Sequence, residues 1–291
     1  MAYRLKKSDK TVAHALRRIA REQMDRALCA IDGPGDNPEG IHAARAHCKK
    51  LRGLLRLVRP GFSGFEAEDA TLREAARHLA ALRATGATRE TLDRLAAACP
   101  KRLDAAALAE IRVTVTSRVL QHSEADRTAD IAAFRQALSA CRLRVSGWTL
   151  DSDGFIPIRE GLRTTYASAR KRVRKAQDSR TPEDFHDARK SVKYHWYHAQ
   201  LLRPIRPDRI TPRIALAKQL GEILGDHHDL ADLRTRLAAA GTSDAAAHVL
   251  QGPILLEMMR LEDASCAIAG KLLSDRPDAL APRWHRWWKA W

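Results

Sequence analysis

His42, Arg45, Lys49, Arg52 and Arg56 recur at three- and four-residue steps within one stretch, IHAARAHCKKLRGLLRLVRP (41–60). On a helix, at about 100° per residue, these side chains fall within an arc of about 80°. Ala44, Leu51, Leu54, Leu55 and Val58 take the opposite side. One face therefore buries, and the other presents a cation about once per turn, every ~5.4 Å. The stretch holds six Lys or Arg and no acid. Point charges and guanidinium forks in a row, with no local counterion, suit a ligand that carries many anionic groups along its length.

The pattern occurs twice. FHDARKSVKYHWYHAQLLRP (185–204) lines up with the first stretch at a shift of 144, so His186, Arg189 and Lys193 answer His42, Arg45 and Lys49. The second copy adds Lys190, then carries Trp196 and Tyr197 where the later cations would stand. At nearby shifts Arg73 falls on Lys218, Arg83 on His228, and LRR at 16–18 on LRT at 162–164. Smaller basic clusters share helix faces elsewhere: His14, Arg17, Arg18 and Arg21 in the first half, Arg163, Arg170 and Arg174 in the second. A nearly constant offset marks an internal repeat.

The elements that must hold these faces are helices. Ala, Leu and Arg dominate, and Val, Ile and aromatic residues are few, which favours helix over strand. Breaks at 32–40, 59–65, 98–104, 146–157, 178–185, 203–212 and 241–244 leave segments of three to six helical turns between them. The Gly-, Ser- and Asp-rich break near the middle divides the chain. The expected organisation is all-α, with a first helical-bundle repeat over 1–146, a linker over 147–157 and a second repeat over 158–291.

The 291 residues carry 51 Lys and Arg against 35 Asp and Glu, a formal charge of +16, and the pI is about 10.1. A surplus of that size points to a polyanionic partner. Five cysteines, spread widely and without a C-x-x-C, give neither a disulfide framework nor a zinc knuckle and fit a reducing cytoplasm. MAYRLKKSDK is not followed by an apolar run, and no 18-residue apolar run occurs, so neither a signal peptide nor a membrane span is expected.

The two stretches resemble the signature helices of CHAD domains, the conserved-histidine α-helical domains. The resemblance covers nearly the whole chain, through LRRIAREQMDRAL, LREAARHLAALRA, EGLRTTYASAR and LGEILGDHHDLADL, and is weakest after about Ala245. It implies two pseudo-symmetric four-helix bundles around a basic groove or pore, and binding of inorganic polyphosphate, with a location on polyphosphate granules. The ligand contacts it implies are His42, Arg45, Lys49, Lys50 and Arg52 from the first signature, and His186, Arg189, Lys190 and Lys193 from the second. Arg17, Arg73, Arg83, Arg163, Arg170 and Lys218 match basic family positions on other helices. Ala46 and Ala84 depart from the family's pattern, leaving the first copy one cation short and Arg83 without the Asp that Asp229 supplies in the second. The histidines, crowded by cations, should titrate low until an anion arrives, so binding should strengthen as pH falls.

Other functions compete with this one. Nucleic acid is the general expectation for so basic a chain, but aromatics make up only 5% of it, and single-strand binders interleave aromatics with their cations. GDHHDLAD (225–232) has the look of a metal-dependent phosphohydrolase motif. On a helix, however, His227, His228 and Asp229 fan out by about 100° each, and H-E-x-x-H, G-K-[ST] and G-x-G-x-x-G do not occur. No catalytic residue, cofactor or metal ligand is therefore assigned. The tail RWHRWWKAW (283–291) sets Trp284, Trp287, Trp288 and Trp291 on one helix face. It serves either as a closing turn packed on the bundle or as a contact for a protein partner or granule surface.

Overall fold

Caps fix where the two signature helices begin, and hence the phase of their faces. Asn37 and Thr181 are the N-caps, each followed by Pro at the first helical position and then Glu. The Asn37 side chain accepts from the Gly40 N–H at 2.7 Å, and Thr181 accepts from that of Asp184. Pro at this position forfeits no hydrogen bond and presets the helical φ. His42 and His186 consequently occupy the same helical position, the fifth. Both helices stop at Arg-Pro, in short 3₁₀ turns over Arg59–Gly61 and Arg203–Ile205.

The computed structural model describes residues 3–32, 37–82, 84–100, 108, 109, 112, 123–239 and 245–291. Among them all regular structure is helical, and the chain is all-α as expected. The helices are α1 (Val12–Ile31), α2 (Pro38–Val58), α3 (Phe65–Ala81), α4 (Ala84–Ala98) and α5 (Glu124–Arg144), then α6 (Ile156–Ser179), α7 (Pro182–Leu202), α8 (Pro207–Ala239), α9 (Ala245–Leu272) and α10 (Pro277–Ala290). None of the described helices is long and apolar enough to cross a membrane.

Most of the buried side chains form one continuous core through both halves, from Leu16, Met24 and Leu55 to Tyr166, Phe185 and Trp284. The halves meet where α2 crosses α6 and α7 almost backbone to backbone. A Cβ on Gly53 would fall 2.9 Å from Tyr197, the residue that the sequence repeat sets opposite Gly53. The buried His198 donates its Nε2–H to the Gly53 carbonyl at 2.9 Å. A Cβ on Gly161 would fall 2.1 Å from the Leu57 carbonyl oxygen. The N-terminal segment crosses too: the Leu5 N–H donates to Leu201, and the Tyr3 hydroxyl to the Lys50 carbonyl.

A second, smaller core lies apart. Leu92 and Leu95 of α4 pack with Leu230, Leu233 and Leu237 of α8 and Leu250, Ile254, Met258 and Leu261 of α9. Helix α4 thus reaches out of the first half and docks on the second. The segment between the halves is packed rather than free. Trp148 is buried, its carbonyl accepts from Arg17 Nη1 at 2.7 Å, and Asp153 accepts the Val12 N–H at 2.7 Å. The Trp-rich tail belongs to the fold as well. Trp284 is fully buried, and His285 stacks on Phe155 at 5.1 Å between ring centroids. The five cysteines are free thiols.

A methyl group at position 161 has only backbone to push against, so Gly161→Ala is expected to lower unfolding free energy by about 2–3 kcal/mol. Urea denaturation measures it. A loss below about 0.5 kcal/mol, the range of an indifferent surface change, would show that the crossing is looser than described.

Candidate functional site

In the first half the cationic face of α2 looks at α3. Arg45 Nη1 donates to the Ala76 carbonyl at 2.8 Å. Seven residues on, Arg52 grips Asp69 with both ends of its fork, at 2.9 and 3.1 Å. Arg56 reaches the same carboxylate at 2.5 Å and lies 4.3 Å above the Tyr194 ring of α7. Burial pushes the Asp69 carboxyl up, but the hydrogen bonds from Arg52 and Arg56 outweigh it and hold it below the usual range. The cations that found no acid within 41–60 are thus partly answered from α3. Arg73 shares a face of α3 with Asp69 and Ala76, at i, i+4 and i+7. It looks onto the part of α2 between Arg45 and Arg52, where the exposed Lys49 stands. Arg73 is exposed and makes no ion pair with any described residue. His42 is exposed one turn before Arg45.

In the second half the same face of α7 looks at α8, where two glycines stand opposite its cations. A Cβ on Gly225 would sit 3.2 Å from Arg189 Nη2, and one on Gly221 would sit 3.1 Å from Lys193 Cε. The two glycines, one turn apart, leave the space in which the two long cationic side chains lie. Lys193 also rests 4.7 Å from the Trp196 ring. Burial, and then the nearby charges of Arg189 and Lys218, lower its pKa. Lys218 pairs loosely with Glu222 at 3.5 Å. His186 stacks on His228 at 4.2 Å between centroids, and burial, His228 and the neighbouring Lys190 and Arg189 lower its pKa to about 4. Its Nδ1 is buried without a hydrogen-bond partner among the described residues.

The faces of α2 and α7 come together around Tyr194, which Arg56 covers. On the far side Arg94 of α4 bonds Asp229 of α8 at 2.9 Å and comes within 3.5 Å of Asp226. Burial raises the Asp226 pKa, against the pull of Arg94. Other residues named from the sequence point elsewhere. Lys50 turns toward α1, half-buried near His47 and Arg26, and burial lowers its pKa. Lys190 pairs with Asp187 at 3.0 Å on an exposed face. Arg163 is held by Glu160 and Asp278, and Arg17 by the Trp148 carbonyl. Arg170 is half-buried on α6. Arg83 lies outside the described residues.

The sequence reading passed over Asp69, Arg94, Tyr194, Asp226 and the glycine pair. The signal for the last was present in LGEILG (220–225), where two glycines stand one turn apart in an otherwise good helix former. The adjacent His227, His228 and Asp229 do leave in three directions: to Glu262 at 3.1 Å, to His186, and to Arg94. Among the described residues no three His, Cys, Asp or Glu are grouped to hold a metal ion.

Several histidines carry depressed pKa values that bear on stability. His198, fully buried, is lowered to about 3, chiefly by burial, and His47 and His186 to about 4. The unfolded chain takes up these protons near pH 6.5, well before the folded one does. Stability should therefore fall as pH drops from about 6.5 to about 4, with His198 alone contributing on the order of 3 kcal/mol of that loss. Urea unfolding at stepped pH tests this. A flat profile between pH 6.5 and 4.5, or an unchanged slope in His198→Asn, would contradict it.

The CHAD domain family profile matches residues 11–238. The crystal structure of the CHAD domain from the plant Ricinus communis superposes with a TM-score of 0.67 at 23% identity, covering 95% of this chain and 96% of that one. No curated protein matches the chain.

Proposed function

The chain belongs to the CHAD domain family, and we propose that it binds inorganic polyphosphate, without catalysing a reaction, between the cationic faces of α2–α3 and α7–α8. The observation that carries this reading is the laying of Arg189 and Lys193 across Gly225 and Gly221. Two like charges are held partly buried, one helical turn apart, in space that the opposite helix vacates by having no side chains there. Burial opposes the Lys193 charge and Arg189 beside it adds to that cost, with Glu222 and Asp226 answering part of it. An anion spanning both residues removes the cost.

Polyphosphate presents closely spaced charges and no bases, so it needs a row of cations and no donor–acceptor code. Arg45, Lys49 and Arg73 on one side and Arg189, Lys193 and Lys218 on the other would share it. His186 would join as the pH falls, because a phosphate beside it reverses the influence of its cationic neighbours. Arg52 and Arg56 are occupied by Asp69 and would engage only by exchanging that carboxylate for phosphate. A protein that binds long chains in this way would collect on polyphosphate granules.

Binding to polyphosphate of defined length, across a salt series, tests the reading. By analogy with nucleic acids, log K should fall linearly with log salt, with a slope near −0.7 to −0.9 per phosphate engaged. Arg189→Ala with Lys193→Ala should weaken binding at least tenfold, while Arg142→Ala, on the outside of α5, should leave it within about twofold. Asp69→Asn should tighten binding several-fold by releasing two arginines, while costing about 1–3 kcal/mol of stability. Preference for RNA over polyphosphate at equal salt, or a slope near zero, would overturn the proposal.

A further inference from the structure

Away from these faces, a cleft of about 360 Å³ opens where the N-terminal segment, the linker and α10 meet. Its floor and walls are the apolar Leu5 and Val12 with the indoles of Trp288 and Trp291, and Lys7 and Lys10 also line it. Trp288 is braced by Phe155, 5.7 Å between centroids, and Trp291 is tilted 55° to Trp288 at 5.5 Å. Both indoles are only partly buried. The packing that seats Trp284 in the core therefore leaves two aromatic rings at the cleft.

The cations at this cleft outnumber its acids, three lysines to two. Two acids line it, and both are engaged within the fold. Asp9 takes both ends of the Arg18 fork at 2.7 Å and the Lys6 N–H at 2.8 Å, and Asp153 accepts the Val12 N–H at 2.7 Å. Lys7 and Lys10 are exposed and make no ion pair with any described residue. The cleft also touches the start of α1 at Thr11 and Val12, whose first turn carries no acid. That end of α1 is answered by the Asp153 carboxylate and the Thr11 cap, so the cations the cleft offers a ligand are Lys7 and Lys10.

We propose that this cleft binds a mononucleotide, its base against Trp288 and Trp291 and its phosphates against Lys7 and Lys10. An inorganic phosphate chain has nothing to offer the indoles, and a neutral aromatic leaves the lysines unanswered. A ligand with a flat aromatic ring joined to phosphate satisfies both. The volume lies at the lower end of that of small-molecule pockets, about 300–1,000 Å³, which suits one nucleotide rather than a longer strand. This site is separate from the polyphosphate reading and stands or falls independently of it.

Isothermal titration of the full chain with ADP, adenosine, pyrophosphate and a trinucleotide tests the assignment. ADP should bind at one site with a Kd of about 10–100 µM, and adenosine and pyrophosphate at least tenfold more weakly. Trp291→Ala and, separately, Lys7→Ala with Lys10→Ala should each weaken ADP at least fivefold. Lys10→Glu supplies a second reading should Trp291→Ala fail to fold. Arg189→Ala with Lys193→Ala should leave ADP affinity unchanged, although it weakens polyphosphate. The assignment is overturned if pyrophosphate binds the Arg189→Ala, Lys193→Ala variant as well as ADP does, or if that variant loses ADP binding while Trp291→Ala does not. A trinucleotide binding more than tenfold tighter than ADP would also overturn it, because the cleft would then be part of a strand-binding surface.

Discussion

The backbone approach of α2 to α6 and α7 is the constraint on which the other features rest. Gly53 admits Tyr197, Gly161 admits the Leu57 carbonyl, and His198 closes the contact with a hydrogen bond to Gly53. Helices that close cannot slide or rotate without driving side chains into backbone. The caps at Asn37 and Thr181 set the phase of each cationic face relative to its own helix start. The crossing sets the phase of one helix against the other. Two stripes that were legible separately thereby acquire a fixed relation in space.

A chain with a formal charge of +16 must decide which cations to neutralise, and the structure divides them plainly. Arg144 with Glu68, Arg18 with Asp9, and Arg213 and Arg283 with Asp275 tie elements together around half-buried carboxylates. These pairs keep their acids ionised and satisfied where burial would otherwise penalise them. Arg73 is left outside this scheme, and Lys193 is crowded by other cations. The first group serves the fold. The second has like charges for neighbours, with Glu222 and Asp226 answering part of the Lys193 charge.

The all-α class, the helix boundaries near the breaks and the two stripes could be read from the sequence because period, caps and charge are local properties. What helix geometry alone could not give was the identity of the neighbour. Lys50 stands about 100° round from Lys49, which is enough to turn it toward α1 and away from α3. Nothing in 41–60 announces Asp69, because the counterion sits on another helix. Arg17 and Arg163 look like members of basic clusters until Trp148, Glu160 and Asp278 are brought beside them. The break at 98–104 marks the end of α4 but cannot say that its leucines pack on α8 and α9.

The two walls are not equivalent, and the difference bears on selectivity. The cationic face of α2 meets one acid of α3, Asp69, whereas α8 carries Glu222, Asp226 and Asp229 beside its own Lys218 and near Arg189 and Arg94. A wall of cations alone would attract any polyanion, including sparsely charged ones. Carboxylates already in contact with the cations set a threshold, since an incoming ligand must return more interaction than the acids it displaces. The denser its charge, the more readily it passes. Asp226 is raised toward protonation by burial and by the acids beside it, against the pull of Arg94 and Arg189, so it loses its charge at a higher pH than an ordinary aspartate. Its loss of charge would lower the threshold in the same direction as protonation of His186. Two groups of opposite type, a carboxylic acid and an imidazole, thus both make one wall more positive as the medium acidifies, whereas on the other wall Asp69 is held ionised by Arg52 and Arg56 and His42 stands exposed.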